Sequence, residues 1–91
     1  MKKTNYTILF SKHALKDIEK LKNVGLYLSA QKILDLMVEN PFIYPPSYEK
    51  LIGDLKGFYS RRINKQHRIV YKVIENKKEL RVYRMWTHYE K

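Results

Sequence analysis

The apolar residues of this 91-residue chain change their spacing at Pro41, and this change constrains the fold more than any other feature. Before Pro41, two segments repeat apolar residues at helical spacing. Beyond a loop, three segments alternate apolar and polar residues as strands do. A β-branched and aromatic run from Tyr6 to Phe10 precedes the helices and predicts a first strand. The predicted order is therefore β-α-α-β-β-β, which is typical of an α+β domain.

Local signals place the ends of both predicted helices. Ser11 stands just before the first apolar repeat, where its hydroxyl can accept a free amide of the first turn. The second helix runs from about Tyr27 to Asn40 and stops at Pro41, which cannot continue a helix. We expect the two helices to form an antiparallel hairpin on one face of an antiparallel sheet. The length predicts a single domain over residues 1–91.

The second half of the chain predicts the rest of the sheet. Its three strand candidates are residues 58–64, 68–74 and 80–87, and they follow a long loop at 41–57. Because the links between these strands are short, we expect consecutive strands to pair antiparallel.

Alternation along these strands predicts which residues face the helices. Ile69, Tyr71 and Val73 share the face that should pack on the helices, while the opposite face is basic. For the neighbours Arg61 and Arg62, alternation leaves open which one lies on the basic face, because a bulge would exchange them.

The charge distribution points to a polyanionic partner. The net charge is +10, and residues 50–91 hold 12 of the Lys and Arg residues against 4 acidic ones. Large aromatic residues alternate with these cations, and the last run ends in Trp86, His88 and Tyr89. Cations bind phosphate, and aromatic rings stack on unpaired bases, so the pattern favours single-stranded RNA. A solvated basic surface without a partner is the alternative.

Composition excludes several other classes of protein. The chain has no cysteine, so disulfides and thiolate metal sites are excluded. No apolar run is long enough to span a membrane, and the N-terminus lacks a signal-peptide core. We therefore expect a cytoplasmic protein without a membrane partner.

Two ionisable residues stand out, and each also has a structural interpretation. His88 ends the basic aromatic run, and an imidazole can move a proton near pH 7. Glu49 is one of few acidic residues near the basic half, and by itself it would be read as a salt-bridge partner. His13 is interpreted as a surface residue, and His67 as a residue that packs beside a turn.

Two motifs then identify a resemblance to a known family. The run GFYSRRINKQHRIVY, followed by RMWTHYE, resembles the YoeB/Txe branch of the RelE-type bacterial toxins in order and spacing. The proline-rich loop that contains Glu49 is also similar. The resemblance implies the RelE-like β-α-α-β-β-β fold. It also implies a type II toxin–antitoxin system whose toxin is a ribosome-dependent mRNA endoribonuclease that inhibits translation.

The resemblance further assigns roles to residues that match the family motif. It makes Glu49 the general base, Arg68 the phosphate-binding arginine, His88 the general acid and Tyr89 its assistant. Five further residues are predicted to bind RNA or phosphate: Lys50, Lys56, Arg61, Arg62 and Trp86. The family usually has a lysine three residues after the catalytic glutamate, where this chain has Ile52. Either Lys50 or Lys56 supplies that missing charge, or the site functions without it.

The chemistry expected from this set needs no cofactor or metal. RNA supplies its own nucleophile, the 2′-hydroxyl, so a base, an acid and a cation are sufficient for cleavage. The expected partners are the ribosome, mRNA and a cognate YefM/Axe-type antitoxin. The sequence leaves open whether the toxin forms a homodimer.

Two functions from other classes stay open at this point. One is a non-catalytic toxin like those of the related ParE branch, which act on DNA gyrase. The other is a degenerate module that only binds its antitoxin, for which Ile52 is the sequence hint.

Overall fold

A computed structural model describes residues 5–86 of the chain. Its helices are α1 (Lys12–Asn23) and α2 (Tyr27–Glu39), and two short 3-10 helices lie at Gly53–Leu55 and Glu75–Lys77. Its strands are β1 (Thr7–Phe10), β2 (Glu49–Lys50), β3 (Tyr59–Arg62), β4 (Arg68–Ile74) and β5 (Glu79–Arg84).

The helix ends lie where the sequence places them. The hydroxyl oxygen of Ser11 accepts a hydrogen bond from the amide of Ala14 at 3.0 Å, so Ser11 caps α1 as predicted. The same hydroxyl donates to the carbonyl oxygen of Tyr83 at 2.7 Å, which ties the start of α1 to β5. The helix α2 ends at Glu39, and Asn40 and Pro41 follow it. Gly25, at a φ of 76°, makes the turn between the helices, a conformation that glycine adopts without steric cost.

The five strands form one mixed sheet in the order β1-β5-β4-β3-β2. The strands β2, β3, β4 and β5 pair antiparallel, as expected from their short links, whereas β1 pairs with β5 in parallel. The expectation of a wholly antiparallel sheet is therefore wrong for this one pair of strands. It arises because the helical hairpin carries the chain to the far edge of the sheet, from which the later strands return to β1. The short strand β2 lies within the predicted loop.

The core lies between the helices and one face of the sheet. Ile69 and Tyr71 of β4 and Leu80 and Val82 of β5 are buried there, and Val73 packs against them, which confirms the predicted inner face. The helices contribute the other half of the core through Ala14, Leu21, Ala30, Leu34 and Met37. We call the opposite face of the sheet, which no helix covers among residues 5–86, the outer face.

A partly buried ion pair joins the end of β5 to α1. The carboxylate of Asp17, whose side chain is 2% exposed, accepts hydrogen bonds from Arg84 Nε and from the amide of Met85, both at 2.9 Å. Arg84 therefore lies on the helix side, and β5 ends there instead of continuing to Thr87 as predicted. Residues 87–91, including Thr87, lie outside the described part of the chain.

Neither helix in the described part of the chain combines the length and the apolar character that a membrane crossing requires.

Candidate active site

Three neighbouring strands bring Glu49, Ser60 and Arg68 together on the outer face. Glu49 of β2 pairs with Ser60 of β3, and Ser60 pairs with Val70 of β4. Paired residues point to the same face of a sheet, and so do residues two apart on one strand. Arg68, two residues before Val70, therefore lies beside Ser60 on the same face as Glu49.

The side chains of these three residues form one hydrogen-bonded group. Arg68 Nη1 lies 3.3 Å from Glu49 Oε1 and 3.1 Å from the hydroxyl oxygen of Ser60, to which it donates. The Arg68 side chain is 20% exposed, while that of Glu49 is 63% exposed. An ion pair so open to water adds little stability, so its main consequence is the placement of a carboxylate beside a cation at the surface.

The loop that leads into β2 is held from behind by Arg61. Its guanidinium donates to the carbonyl oxygens of Pro41, Ile43 and Pro46, at 2.9, 2.8 and 2.5 Å respectively. The guanidinium carbon lies 4.8 Å from the centre of the Tyr48 ring, a distance typical of a cation–π contact. Arg61 thus connects β3 to residues 41–48, the segment that leads directly into Glu49 of β2.

This placement corrects one predicted RNA-binding residue. Arg61 is 1% exposed and lies on the inner face, so the expectation that it contacts RNA phosphate is wrong. Arg62 is exposed and lies on the outer face with Ser60 and Arg68, as alternation along β3 requires. The question left open by the sequence is therefore settled in favour of Arg62.

The other predicted RNA-binding residues lie at two places. Lys50 and Lys56 are exposed and flank a hollow formed by the connection from β2 to β3. Ile52, which stands where the family usually has lysine, lies between them and is 85% exposed. Trp86 instead packs against the core, with its ring centre 4.4 Å from that of His67 and 5.7 Å from Lys20 Nζ of α1. This packing puts Trp86 on the helix side, away from Glu49 and Arg68.

Two of the four predicted catalytic residues are placed by the structure, and two are not. Glu49 and Arg68 meet, although 18 residues separate them in the sequence. His88 and Tyr89 lie outside the described residues, so their roles stay predictions. His67 packs on Trp86, and its ring nitrogen Nδ1 lies 3.1 Å from the side-chain oxygen of Asn64, which agrees with its structural interpretation.

One member of this hydrogen-bonded group, Ser60, was not among the site residues predicted from the sequence. Alternation had put it on the same face as Arg62, but a serine between an aromatic residue and two arginines carries no distinctive signal. Its role depends on the register that sets it between Glu49 and Arg68.

The chemistry available to this site is that of a carboxylate base beside a guanidinium. The carboxylate can accept a proton, and the guanidinium can hold an anionic phosphate through two parallel hydrogen bonds. Within residues 5–86, histidine and acidic side chains form no group of three that could hold a metal ion.

The comparison with protein families identifies the family of this chain. The family described as YoeB-like toxin of bacterial type II toxin-antitoxin system matches residues 10–89, which is most of the chain. The chain therefore belongs to the family of YoeB-like toxins of bacterial type II toxin–antitoxin systems. No curated protein is similar enough in sequence to count as a match.

Solved structures support the same conclusion. The YoeB/ParE toxin from Agrobacterium tumefaciens is 26% identical with a TM-score of 0.83, and the match covers 91% of this chain and 99% of that one. The match to the YoeB-YefM complex from Staphylococcus aureus is 30% identical with a TM-score of 0.78, covering 92% and 98%. The YoeB dimer from Staphylococcus aureus is also 30% identical with a TM-score of 0.78, covering 93% and 99%. The predicted RelE-like α+β fold is thereby confirmed.

Proposed function

We propose that this toxin is an endoribonuclease that cuts mRNA on the ribosome by general acid–base chemistry, with no metal in the reaction. The observation that carries the proposal is the contact between Glu49 and Arg68, at 3.3 Å on an open sheet face. A mostly exposed carboxylate and a guanidinium beside it supply a base and a phosphate ligand in one place.

In the proposed reaction, Glu49 removes the proton from a ribose 2′-hydroxyl, and the oxygen attacks the adjacent phosphorus. The bond from phosphorus to the 5′-oxygen of the next nucleotide breaks as the new bond forms. The products are a 2′,3′-cyclic phosphate and a 5′-hydroxyl end. Arg68 stabilises the negative charge that develops on the phosphate oxygens, an effect usually worth several kcal/mol in enzymes.

The remaining roles rest on the family resemblance. His88 donates the proton that the departing 5′-oxygen needs, and Tyr89 assists it. Substitution of a general acid or base typically lowers a rate by about 10²–10⁴-fold. Arg62 is exposed on the same face as Arg68, where it adds positive charge for the RNA backbone.

The resting contact between Glu49 and Arg68 has a consequence for catalysis. An incoming phosphate competes with the carboxylate for the Arg68 guanidinium, because both are anions. Binding of the scissile phosphate would therefore release Glu49 from its ion pair at the moment when the base is needed. Ser60 keeps its hydrogen bond to Arg68 throughout this exchange and holds the guanidinium in place.

The openness of the site supports a requirement for the ribosome. Glu49 lies on an edge strand of two residues, and its side chain is mostly exposed. The protein surface around Glu49 is therefore too open to hold free RNA in one orientation. The ribosome would supply that orientation, and orientation alone can contribute several kcal/mol to a barrier. The net charge of +10 supports docking on ribosomal RNA, with an affinity that falls steeply as salt rises.

An antitoxin and a second copy of the toxin are the proposed protein partners. The related protein of Staphylococcus aureus has been solved as a YoeB-YefM complex and as a YoeB dimer. A basic outer face suits an acidic segment of a YefM/Axe-type antitoxin, since opposite potentials speed association and select the partner.

The decisive experiment measures mRNA cleavage by primer extension, with and without translating ribosomes. We expect Glu49→Gln and His88→Gln to abolish the cuts that wild-type toxin makes on ribosomes. Glu19→Gln, which changes an exposed carboxylate on α1, is the matched control and should cleave like wild type. Intact mRNA with wild-type toxin, together with stalled DNA replication, would instead support the ParE-like alternative.

A further inference from the structure

A second hollow lies on the outer face, apart from the residues assigned above. Its walls come from three strands and from the residue before β3, and its volume is 380 Å³. The residues that matter here are Leu9 of β1, Phe58, Lys72 of β4, and Arg81 and Tyr83 of β5.

Strand register places this hollow next to Glu49 and Arg68. Lys72 pairs with Arg81, and Arg81 pairs with Leu9, so these three form one row across the sheet. Ser60 and Val70 form the neighbouring row, which ends at Glu49. Arg68 itself stands one row further along β4, but its guanidinium donates to the Ser60 hydroxyl and so reaches this neighbouring row. Rows on one face are two residues apart, or about 7 Å along a strand. A nucleotide adjacent to one bound at Arg68 can therefore reach the hollow.

The walls of the hollow combine exposed aromatic surface with positive charge. The rings of Phe58 and Tyr83 have centres 5.5 Å apart, and Lys72 Nζ lies 5.4 Å from the centre of the Phe58 ring. Tyr83 is 39% exposed and Leu9 is 42% exposed, so apolar surface faces water there. Arg81 is paired with Glu79 at 2.7 Å, whereas Lys72 makes no ion pair with any residue in 5–86.

We propose that this hollow is a nucleobase subsite that holds the RNA nucleotide next to the scissile phosphate. The base stacks on the exposed ring of Tyr83 beside Phe58 and Leu9, and Lys72 binds the phosphate of the same nucleotide. The inference rests on the proposed function, because the position of the strand is set by Arg68 and Glu49. Positive charge and stacking surface in one hollow match the two chemical parts of a nucleotide.

The geometry favours RNA over an acidic peptide as the occupant. The hollow and the Glu49–Arg68 pair share one open face, so an RNA strand that crosses the pair continues over the aromatic rings. A peptide segment would gain nothing from this alignment with a catalytic pair. Binding of an antitoxin peptide at the hollow, without an effect on RNA, is therefore an outcome that contradicts the proposal.

The test uses ribosomes programmed with a defined mRNA and measures single-turnover cleavage. We expect Tyr83→Ala to slow cleavage by roughly 5- to 150-fold, the range for loss of one base–aromatic stack, and Tyr83→Phe to restore most of the rate. Lys72→Gln should slow cleavage and weaken its salt dependence. The matched controls, Leu28→Ala and Lys32→Gln on the exposed surface of α2, should cleave like wild type.

An abasic nucleotide separates stacking from a general structural effect. With an abasic site at the nucleotide next to the cut, the cleavage rate of wild-type toxin should fall by the same factor as Tyr83→Ala lowers it on the normal mRNA. On the abasic mRNA, Tyr83→Ala should not lower the cleavage rate any further. If the two losses multiply, or if Tyr83→Ala and Lys72→Gln cleave like wild type, the subsite does not exist.

A cross-linking measurement distinguishes failure of the subsite from failure of the proposed reaction. An mRNA with 2′-deoxyribose at the cut and 4-thiouridine beside it cannot be cleaved but can cross-link to an adjacent aromatic ring. Cross-linking at Tyr83 supports the subsite even if the normal mRNA is never cut, in which case only the reaction is wrong. Cross-links elsewhere on the toxin, or loss of antitoxin binding alone in Tyr83→Ala, overturn the subsite.

Discussion

Replacing Arg61 by methionine should strongly destabilise the toxin, although the residue carries a charge in a toxin that we propose binds RNA. The substitution keeps much of the side-chain volume and removes all of the donors. Three carbonyl oxygens of the segment 41–48 then lose a charged partner, and the contact with the Tyr48 ring is lost as well.

The size of the effect follows from two opposing terms. A hydrogen bond to a charged group contributes about 1.5–3 kcal/mol, so three of them sum to roughly 5–9 kcal/mol. Removing the buried cation also removes its desolvation penalty, which is several kcal/mol. The expected net loss is therefore about 2–4 kcal/mol. A domain of this size has a free energy of unfolding of about 5–14 kcal/mol, so the variant should still fold.

The neighbour on the same strand provides the control. Arg62→Met removes the same chemical group from the exposed outer face, and it should change the stability by less than about 0.5 kcal/mol. Urea unfolding of both variants measures the difference directly. Thermal unfolding should show a Tm lower by about 10–30 °C for Arg61→Met only. Arg61→Lys, which keeps the charge but not the planar fork, should fall between wild type and Arg61→Met.

Equal stabilities of the two variants would refute this reasoning. Such a result would mean that Arg61 does not hold the segment 41–48, and that the inner and outer faces of β3 are assigned wrongly. A large decrease in the free energy of unfolding in Arg62→Met, with no decrease in Arg61→Met, would indicate the opposite register of β3.

Three further predictions concern the buried and hydrogen-bonded groups. Asp17→Ala should lower the free energy of unfolding by about 3–5 kcal/mol, because it removes the buried carboxylate that accepts hydrogen bonds from Arg84 and from the amide of Met85; urea unfolding checks this, and a loss below 1 kcal/mol would contradict it. Burial raises the pKa of Tyr71 to about 12 from 10.0, so its proton is held more tightly in the folded state. The contribution of Tyr71 to stability is therefore complete below pH 10 and is lost between pH 10 and 12, at about 1.4 kcal/mol per pH unit. Urea unfolding at pH 9, 10 and 11 should show this additional decrease in the free energy of unfolding in wild type and not in Tyr71→Phe. If the free energy of unfolding changes with pH equally in both proteins, the predicted contribution of Tyr71 is excluded. Ser60→Ala should slow ribosomal cleavage about tenfold, because it removes a hydrogen bond that orients Arg68; an unchanged single-turnover rate would show that Ser60 has no such role.

The order of the elements and the inner face of β4 could be predicted because both depend on local patterns. Ser11 and Pro41 mark helix ends through their own backbone chemistry, and alternation along β4 identifies Ile69 and Tyr71 as buried. The parallel pairing of β1 with β5 could not be predicted in this way. It joins strands about 70 residues apart, and no local pattern encodes which strand becomes the neighbour of another.

The candidate site, like the fold, could be predicted from the sequence only in part. The residue types of the proposed reaction are visible in the chain, and the resemblance to the family assigns predicted roles to Glu49, Arg68 and His88. Their geometry is not visible, because the position of Glu49 depends on a two-residue strand that forms only when β3 offers its edge. Arg61 shows the limit most clearly, since a charged residue in a basic run resembles a ligand for RNA until its partners are known.

Composition and periodicity thus decide which segments form helices and strands, and which residue types are available for chemistry, because both act over a few neighbouring residues. Tertiary packing decides the rest. It turns one of two adjacent arginines inward to bind three backbone carbonyls and leaves the other on the outer face. It also brings Glu49, Ser60 and Arg68 into one hydrogen-bonded group, because strand register is set by contacts between segments distant in the chain.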